Sequence, residues 1–438
     1  MKKKVALHNL GCKVNAYETE AMQQLLEAAG YEIVPFAPGA DIYVINTCTV
    51  TNIADRKSRQ MLHKAKKMNP DAVVVAAGCY VQAGKEKAEA DPSIDLIIGN
   101  NKKQDLIAVL EKYLETKEIR EEMIDISHTK EYEELQIDRT EEHTRAYIKV
   151  QDGCNQFCTY CVIPYARGRV RSRKTADVVK EVERLAVSGC QEVVLTGIHL
   201  SSYGVDRKED GETLLSLIQA VHQVEGIERI RLGSLEPGIV TEEFARELSQ
   251  MEKICPHFHL SLQSGCTDTL KRMNRRYTAQ EYAEKCEILR KYFSCPALTT
   301  DIITGFPGET EEEFSQSRDF VEKTGFYETH IFPYSRREGT KAANMPGQLP
   351  EGVKKERSRV LIEIGTKHQR EFMEKFLGQK RKVLFEEQQE IQGITYWVGH
   401  TMEYLKVGVL SQEELGNQIL EVKLTEILPE GIIVGEKE

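Results

Sequence analysis

The sequence predicts an α/β protein in three parts: an N-terminal doubly wound parallel sheet, a central partial (β/α)6 barrel and a small all-β barrel at the C-terminus. Three observations predict this fold. Strand-like and helix-like segments alternate up to about residue 116, a strand followed by a helix recurs six times between 143 and 374, and only short strands follow from 375 to 438. Alternating β and α units are typical of parallel sheets.

In the first part, residues 1–116, apolar runs predict strands at 5–10, 31–36, 42–46, 73–77 and 96–98. Helices are predicted at 17–29, 53–67 and 103–114, and the first carries a single apolar stripe that includes Met22 and Leu26. Residues 117–142 are rich in charged side chains and poor in apolar ones, which predicts a charged linker.

Three cysteines in the first part share one position relative to the strands. Cys12, Cys48 and Cys79 each follow the end of a predicted strand. Ligands of open parallel sheets bind at the carboxyl ends of the strands, so the three thiols are expected to converge there. Each could instead be a small buried apolar residue, as many cysteines are. Three equivalent placements favour a cluster held by three cysteines.

The second part, 143–374, contains six predicted strands, each followed by a helix. The strands are near 146–150, 192–195, 229–232, 257–262, 298–303 and 328–332, and a long charged helix at 351–374 ends the part. Six such units with right-handed crossovers make an incomplete barrel, whose site lies at the carboxyl ends of the strands.

The loop after the first of these strands carries Cys154, Cys158 and Cys161 in the spacing C-x3-C-x2-C. Three thiolates can hold three irons of a 4Fe–4S cluster and leave the fourth iron open for another ligand. A structural zinc site is the alternative, but zinc prefers four closed ligands and no second C-x2-C pair follows. The eleven cysteines are odd in number, which argues against a disulfide scaffold.

The overall charge of −10 disfavours a nucleic-acid partner, but its distribution does not. Between 143 and 174 the only acid is Asp152, while a basic run alternates along the chain: Arg167, Arg169, Arg171, Arg173 and Lys174. This run predicts either a phosphate-binding patch or a solvated basic face. The absence of an eighteen-residue apolar run predicts no membrane-spanning helix and a cytoplasmic protein.

The third part, 375–438, has five predicted strands near 382–385, 395–399, 405–409, 418–424 and 431–435. Short strands separated by glycine and polar turns predict a small barrel of the oligonucleotide-binding type. RNA contacts are expected along one edge of this barrel, at Lys380, Arg381 and Lys382.

Taken together, these motifs make the whole chain resemble the radical S-adenosylmethionine (SAM) methylthiotransferases, whose parts are an auxiliary-cluster domain, a radical SAM barrel and a C-terminal TRAM domain. The resemblance rests on Gly11-Cys12-Lys13-Val14-Asn15, on Asn46-Thr47-Cys48, on Gly78-Cys79-Tyr80-Val81-Gln82 and on the loop of Cys154. It implies that Cys154, Cys158 and Cys161 hold a catalytic 4Fe–4S cluster that cleaves SAM. Cys12, Cys48 and Cys79 would hold an auxiliary 4Fe–4S cluster, and a second SAM would supply a methyl group.

The same resemblance implies further pocket residues around SAM, which are Tyr160, Thr196, Gly197, Glu236, Ser261, Gln263 and Ile303. His199 and Cys266 lie near this pocket without an assigned role. The basic run and Tyr165 would contact tRNA, with Tyr165 stacking on an unstacked base.

Local motifs are similar to the MtaB-type branch, which implies methylthiolation at C2 of N6-threonylcarbamoyladenosine at position 37 of tRNA. The isopentenyladenosine branch typically has Gln-Met where Lys13-Val14 stand. Isopentenyladenosine in tRNA and ribosomal protein S12 remain alternative substrates, and a non-catalytic iron–sulfur RNA sensor is an alternative of another class. The implied partners are tRNA, an electron donor such as flavodoxin or ferredoxin, and a sulfur source. The oligomeric state is not readable from the sequence, with a monomer slightly favoured.

Overall fold

The computed structural model describes residues 2–117, 121–140 and 144–437. The N-terminal sheet has six strands in the order β2-β1-β3-β4-β5-β6, and every pairing is parallel. The strands are β1 (Lys4–Asn9), β2 (Glu32–Ile33), β3 (Ile42–Thr47), β4 (Val73–Gly78), β5 (Leu96–Ile98) and β6 (Glu121–Glu122). The helices are α1 (Lys13–Ala28), α2 (Asn52–Met68), α3 (Cys79–Ala83), α4 (Lys85–Glu89) and α5 (Leu106–Thr116).

Helices cover both faces of this sheet because successive strand residues point to opposite sides. Val44 and Val75 pack with α1 and α5, whereas Ile45 and Ala76 pack with α2. The doubly wound parallel sheet is therefore confirmed. Its strands end at one edge, where the next residues of the chain begin the site.

The central part is an open barrel of six parallel strands. β7 (Arg145–Asp152), β9 (Glu192–Gly197) and β10 (Arg229–Leu232) pair side by side, as do β11 (His257–His259), β12 (Ala297–Thr304) and β13 (Glu328–Pro333). Single parallel bridges from Ile230 to Ile254 and from Leu235 to Leu260 join the two sets. The partial six-unit barrel is confirmed. Its fourth strand stops at His259, three residues before the predicted end.

The helices of this part pack on the outside of the barrel, except α6, which lies in the loop after Cys161. They are α6 (Ile163–Arg167), α7 (Thr175–Val187), α8 (Leu214–His222), α9 (Glu242–Ser249), α10 (Thr267–Arg272), α11 (Ala279–Tyr292), α12 (Glu311–Thr324) and α13 (Glu351–Glu374). The short helices α6 and α10 were not predicted, nor was the strand β8 (Arg171–Ser172), which pairs antiparallel with the end of β7. β8 and α6 shape the loop that carries Cys154.

The C-terminal part is a closed five-stranded barrel in the order β14-β15-β16-β18-β17. Its strands are β14 (Lys380–Ile391), β15 (Ile394–His400), β16 (Lys406–Val409), β17 (Ile419–Ile427) and β18 (Ile433–Lys437). This confirms the predicted small β-barrel. Arg229 and Arg231 of the central barrel donate hydrogen bonds to backbone carbonyls of this domain, at His400 and Met402, from 2.9 and 3.0 Å.

The segment predicted as a linker packs against both of its neighbours over its described residues, 121–140. Leu135 and Ile137 are buried in the core of the central barrel, and the carbonyl of Leu135 accepts a hydrogen bond from the Tyr17 hydroxyl at 2.6 Å. The predicted boundary at 142–143 lies outside the described residues. In the part of the chain that the structure describes, no helix is long and apolar enough to cross a membrane.

Candidate active site between two cysteine trios

The loop of Cys154 leaves β7 through a tight turn. Gly153 adopts φ of +71°, and a Cβ at this position would collide with the carbonyl of Arg169. Only glycine satisfies both conditions without strain. The amide of Cys154 donates to the Gly168 carbonyl at 3.0 Å, and the amide of Cys161 donates to the Cys158 carbonyl at 3.0 Å. The loop therefore folds back on itself and brings its three thiols together.

In this trio Cys158 is buried, and Cys154 and Cys161 are partly buried. Burial, together with the neighbouring thiol of Cys158, raises the pKa of Cys154 to about 11 and that of Cys161 to about 12. Without a cation these groups stay protonated near neutral pH. A metal centre removes the protons, because cysteine binds metals as the thiolate. Arg275 donates a hydrogen bond to the Cys158 sulfur at 3.2 Å, which stabilises negative charge on that sulfur.

The second trio lies at the carboxyl edge of the N-terminal sheet. Cys12 follows β1, Cys48 follows β3, and Cys79 follows β4 as the first residue of α3. A Cβ at Gly11 would lie 2.8 Å from the Cys48 sulfur, so glycine is needed to let the first two loops approach. Burial raises the pKa of Cys48 to about 11, and the nearby thiols of Cys79 and Cys12 raise it as well.

Two side chains join the trios. The Arg167 guanidinium, in the short helix that follows Cys161, donates to the Cys79 sulfur at 3.2 Å. The Asn100 amide donates to the same sulfur at 3.5 Å and to the Ala166 carbonyl at 2.7 Å. α6 and its contacts therefore link the loop of the first trio to Cys79 of the second.

A polar frame surrounds the Cys154 trio at the strand ends of the barrel. The carboxylate of Glu236 contacts the His199 ring at 2.9 Å, accepts from the Gln156 amide at 2.9 Å and pairs with Arg275 at 3.2 Å. The pKa of Glu236 is held below its ordinary value: burial opposes this, but His199 and Arg275 outweigh it. His199, whose role the sequence left open, is thus a partner of Glu236.

The other expected SAM-pocket residues lie around the same barrel mouth. Thr196 and Gly197 end β9, and Gln263 adopts φ of +70° where its amide donates to the Asp301 carbonyl at 2.8 Å. The Ser261 carbonyl accepts a hydrogen bond from the Tyr277 hydroxyl at 2.5 Å. Tyr160 and Ile303 form an apolar wall with Phe306 and Tyr334. Their contacts with SAM remain a prediction. Cys266 is buried at the start of α10.

A cavity of about 540 Å³ opens at the rims of both trios. Thr49, Tyr80 and Val162 line it. Thr49 and Tyr80 follow Cys48 and Cys79 of the second trio, and Val162 follows Cys161 of the first. Tyr165, with a relative exposure of 53%, lies on the wall of this cavity and also lines a neighbouring one of about 280 Å³. A substrate that enters the larger cavity can reach residues beside both cysteine trios.

Comparison with known proteins identifies this arrangement. Residues 148–321 match the Radical SAM superfamily, and residues 4–99 match the Uncharacterized protein family UPF0004. The chain is 41% identical over 422 residues to the threonylcarbamoyladenosine tRNA methylthiotransferase MtaB of Bacillus subtilis, covering 96% of this chain and 93% of that protein. The chain belongs to the radical SAM methylthiotransferase family. Enzymes of this family use SAM and two 4Fe–4S clusters.

A second relative and one solved structure complete the comparison. The chain is 38% identical over 385 residues to the tRNA-2-methylthio-N(6)-dimethylallyladenosine synthase of Moorella thermoacetica, covering 86% of this chain and 85% of that protein. The fold is similar to that of the radical SAM methyltransferase TsrM from Kitasatospora setae, with a TM-score of 0.56 at 16% identity, over 76% of this chain and 72% of that one.

The charges around the auxiliary trio fit an anionic metallocluster. Four buried cations share two carboxylates within 3.6 Å, namely Lys103, Lys149, Arg167 and Arg171 around Glu18 and Asp152. Four minus two leaves two positive charges. Glu133, whose charge also acts on Lys149, reduces the surplus to one. Buried charge requires compensation, and a thiolate-bound cluster next to Arg167 would supply it.

The prediction of RNA contacts is wrong for three of the five basic residues in the run. Arg167, Arg171 and Arg173 are fully buried. Their partners lie inside the protein: Arg173 pairs with Glu181, and Arg171 pairs with Asp152 and donates to the carbonyls of Arg167 and Arg169. These side chains cannot reach phosphate while the fold is intact.

The remaining expected RNA contacts stay predictions. Arg169 and Lys174 are exposed, and the Arg169 guanidinium lies 4.5 Å from the centre of the Phe157 ring. In the C-terminal barrel, Lys380 and Lys382 are exposed, whereas Arg381 is half-buried and pairs with Glu403 at 3.1 Å.

Several residues of the site were missed at the sequence level. They are Asn15, Glu18, Asn100, Gln156 and Arg275, which bond to the cysteines or to the residues around them. Asn15 and Glu18 follow Cys12 at helical spacing, which is a usable signal. Arg275 had none, because it approaches Cys158 from a loop more than a hundred residues away.

Proposed function

We propose that this protein is a radical SAM tRNA methylthiotransferase that places a methylthio group on C2 of N6-threonylcarbamoyladenosine at position 37. One observation carries the proposal: residues that follow cysteines of two three-cysteine sets, from different domains, line one cavity, which is open to solvent on the side of Tyr165. A sulfur-inserting enzyme needs its radical source and its sulfur source beside the same carbon atom. Convergence on one cavity meets that need.

The residues of the chain divide the work between them. When bound, the clusters supply the electron for SAM cleavage and the sulfur, with Cys154, Cys158 and Cys161 as ligands of one and Cys12, Cys48 and Cys79 as ligands of the other. Glu236, held by His199 and Arg275, offers a fixed carboxylate at the barrel mouth for a polar group of SAM.

The apolar wall of the pocket has a separate task. Tyr160, Ile303 and Phe306 pack together next to the Cys154 trio and keep bulk water away from it. Exclusion of water matters here because a carbon radical that is free to diffuse reacts with any C–H bond within reach.

Single-stranded RNA bases are commonly recognised by stacking on aromatic side chains that lie beside cations. Tyr165 is exposed on the cavity wall and contacts the Phe157 ring edge-on at 5.8 Å, and Arg169 covers Phe157. These side chains support the anticodon loop as the partner that enters the cavity, with Arg169 directed at its backbone.

Lys13 stands where the isopentenyladenosine branch typically has glutamine, and we assign it to a substrate carboxylate. It stands next to Cys12. Its side chain reaches solvent, although protein atoms also lie around it. Burial together with the positive charges of Arg231 and Arg145 lowers its pKa to about 8. No residue in the described ranges forms an ion pair with it at 4.0 Å or less. The threonyl carboxylate can fill that role, whereas an isopentenyl group cannot.

The remaining partners follow from the chemistry. Electrons come from a low-potential donor such as flavodoxin or ferredoxin, and a separate sulfur source renews the auxiliary centre. The tRNA substrate places the reaction in the cytoplasm, and a monomer remains the slightly favoured oligomeric state.

The test is mass spectrometry of tRNA nucleosides from a strain that lacks this protein. We expect 2-methylthio-N6-threonylcarbamoyladenosine to disappear and to return with the intact gene, but not with Cys158→Ala or Cys48→Ala. Loss of the dimethylallyl derivative instead would assign the other branch, and an unchanged profile would favour ribosomal protein S12 or a sensor.

A matched variant tests the substrate assignment. Lys13→Gln is expected to lower kcat/KM on threonylcarbamoyladenosine tRNA by about tenfold, the loss of roughly one charge-assisted contact. Activity on isopentenyladenosine tRNA, if measurable, should not fall. An equal fall on both substrates would mean that Lys13 supports the cluster rather than the substrate.

A further inference from the structure

Arg167 connects the two halves of the active site. It belongs to the central barrel, six residues after Cys161, but its Nε donates to the sulfur of Cys79 in the N-terminal domain at 3.2 Å. The side chain is fully buried. The guanidinium also contacts Asp152 at 3.3 Å at the base of its own loop, so it joins that loop to a cysteine of another domain.

The other nitrogens of Arg167 fix its direction. Nη1 donates to Glu18 at 2.6 Å, and Nη2 donates to the Asn15 side-chain oxygen at 2.6 Å. That same oxygen lies 3.9 Å from the Cys12 sulfur. Cys79, Glu18, Asn15 and Asp152 together engage all three nitrogens, which holds the guanidinium against the auxiliary trio.

Asn100 provides a second donor to the same sulfur. Its amide lies 3.5 Å from the Cys79 sulfur, and its oxygen accepts from the Lys103 ammonium at 2.7 Å. Cys79 therefore receives one charged and one neutral donor, both backed by the surplus of buried positive charge described above.

Hydrogen-bond donors of this kind shift the reduction potential of a cluster in a known direction. Hydrogen bonds to cluster sulfurs and local charge are among the main determinants of iron–sulfur reduction potentials. A cationic donor stabilises the reduced cluster, which carries one more negative charge, more than the oxidised cluster. Loss of the donor therefore shifts the potential to more negative values.

We propose that Arg167 is a positioning residue which raises the reduction potential of the auxiliary cluster through Cys79 and fixes that cluster against the radical loop. Arg275 holds the corresponding position at the other trio, since it donates to Cys158 at the same distance of 3.2 Å. Arg275 is paired with Glu236, so its charge is balanced locally. The inference rests on the proposed function only in that both trios hold clusters.

The experiment measures each cluster separately in the full-length chain. The auxiliary cluster is titrated by EPR-monitored reduction in a background with Cys154, Cys158 and Cys161 replaced by alanine. The radical cluster is titrated with Cys12, Cys48 and Cys79 replaced. Arg167→Lys keeps the charge but loses the planar donor, Arg167→Gln loses both, and Arg275→Lys is the matched control.

We expect a negative shift of the auxiliary potential for Arg167→Lys and a larger one for Arg167→Gln, with the radical potential unchanged. Arg275→Lys should shift the radical potential and leave the auxiliary potential unchanged. Iron content and thermal unfolding report whether each variant keeps its fold and cluster. If both Arg167 variants lose the cluster, Asn100→Ser decides, because it removes only the neutral donor and should give a smaller negative shift.

Two results would overturn the inference. One is an auxiliary potential that stays constant in every variant that keeps its cluster. The other is an equal shift of both potentials, which would indicate general loosening of the site. Failure of the unaltered chain to assemble an auxiliary cluster would instead contradict the proposed function, so the two failures are distinguishable.

Discussion

Glu18 is the carboxylate on which three buried cations converge, and its replacement by glutamine is expected to weaken the contact between the first two domains. Its oxygens lie 2.6 Å from Arg167, 2.8 Å from Lys149 and 3.1 Å from Lys103, and all four side chains are fully buried. Removing one partner of a buried ion pair costs about 3–5 kcal/mol, because the other charges stay buried without compensation. Glutamine keeps the shape and one acceptor, so we expect the free energy of unfolding to fall by about 3 kcal/mol. This corresponds to roughly a hundredfold change in the unfolding equilibrium.

The assay is amide hydrogen exchange of α1 in the cluster-free chain, read by mass spectrometry. Fluorescence would report on the wrong place, since Trp397 lies in the C-terminal barrel. Glu27→Gln is the matched control: it lies on the same helix and pairs with Arg139 at 2.5 Å, but both side chains are partly exposed. Glu27→Gln should lower the free energy of unfolding by less than about 1 kcal/mol.

The effect has a defined pH dependence. Burial alone would raise the pKa of Glu18, but Arg167, Lys103 and Lys149 outweigh it and hold the pKa well below the ordinary value of 4.5. The stability from the charged form is fully present above that value and is lost as the pH falls through the lower native-state pKa. The deficit of Glu18→Gln should therefore shrink below about pH 4.5. A cluster-free variant within 1 kcal/mol of the unaltered chain at pH 7 would refute the reasoning.

Four further outcomes are expected. Cys158→Ala should abolish 5′-deoxyadenosine formation from SAM, and a variant that still forms it would remove Cys158 from the ligand set. Cys48→Ala should keep most SAM cleavage but stop methylthio transfer to tRNA, and full transfer would contradict the auxiliary role. Arg169→Glu should weaken tRNA binding and flatten its dependence on salt concentration, whereas unchanged binding at several salt concentrations would move the RNA surface elsewhere. Gly153→Ala should lower the iron content of the radical site, because φ of +71° and the Arg169 carbonyl leave no room for a Cβ; full iron loading would show that the turn can relax.

The sequence predicted the positions of the cysteines because strand ends can be read from local patterns. Cys12, Cys48 and Cys79 are far apart in the chain, but each follows a strand, and parallel strands end at one edge. The same reasoning placed the Cys154 loop at the mouth of the barrel. Both predictions needed only residues within a few positions of each cysteine.

The basic run was misread because charge patterns do not reveal burial. Arg171 and Arg173 alternate with uncharged residues, as the basic residues of a surface strand would, yet Val170 and Ser172 are buried as well. No acid stands near Arg173 in the sequence until Asp177 and Glu181. Their partners were supplied by folding: Glu181 from one turn further along α7, and Glu18 for Arg167 from another domain. Such pairings depend on domain contacts that no local window contains.

The segment at 121–140 packs against both of the first two domains, and this limits how substrate can reach the cavity. β6 adds a strand to the N-terminal sheet, while the amide of Ile137 donates to Glu181 of the barrel at 2.6 Å. One stretch of chain therefore pairs with the N-terminal sheet and is also hydrogen-bonded to the central barrel. Separation of the two domains would expose the buried Leu135 and Ile137 side chains, so we expect the nucleotide to enter through the cavity opening beside Tyr165 while the domains stay together.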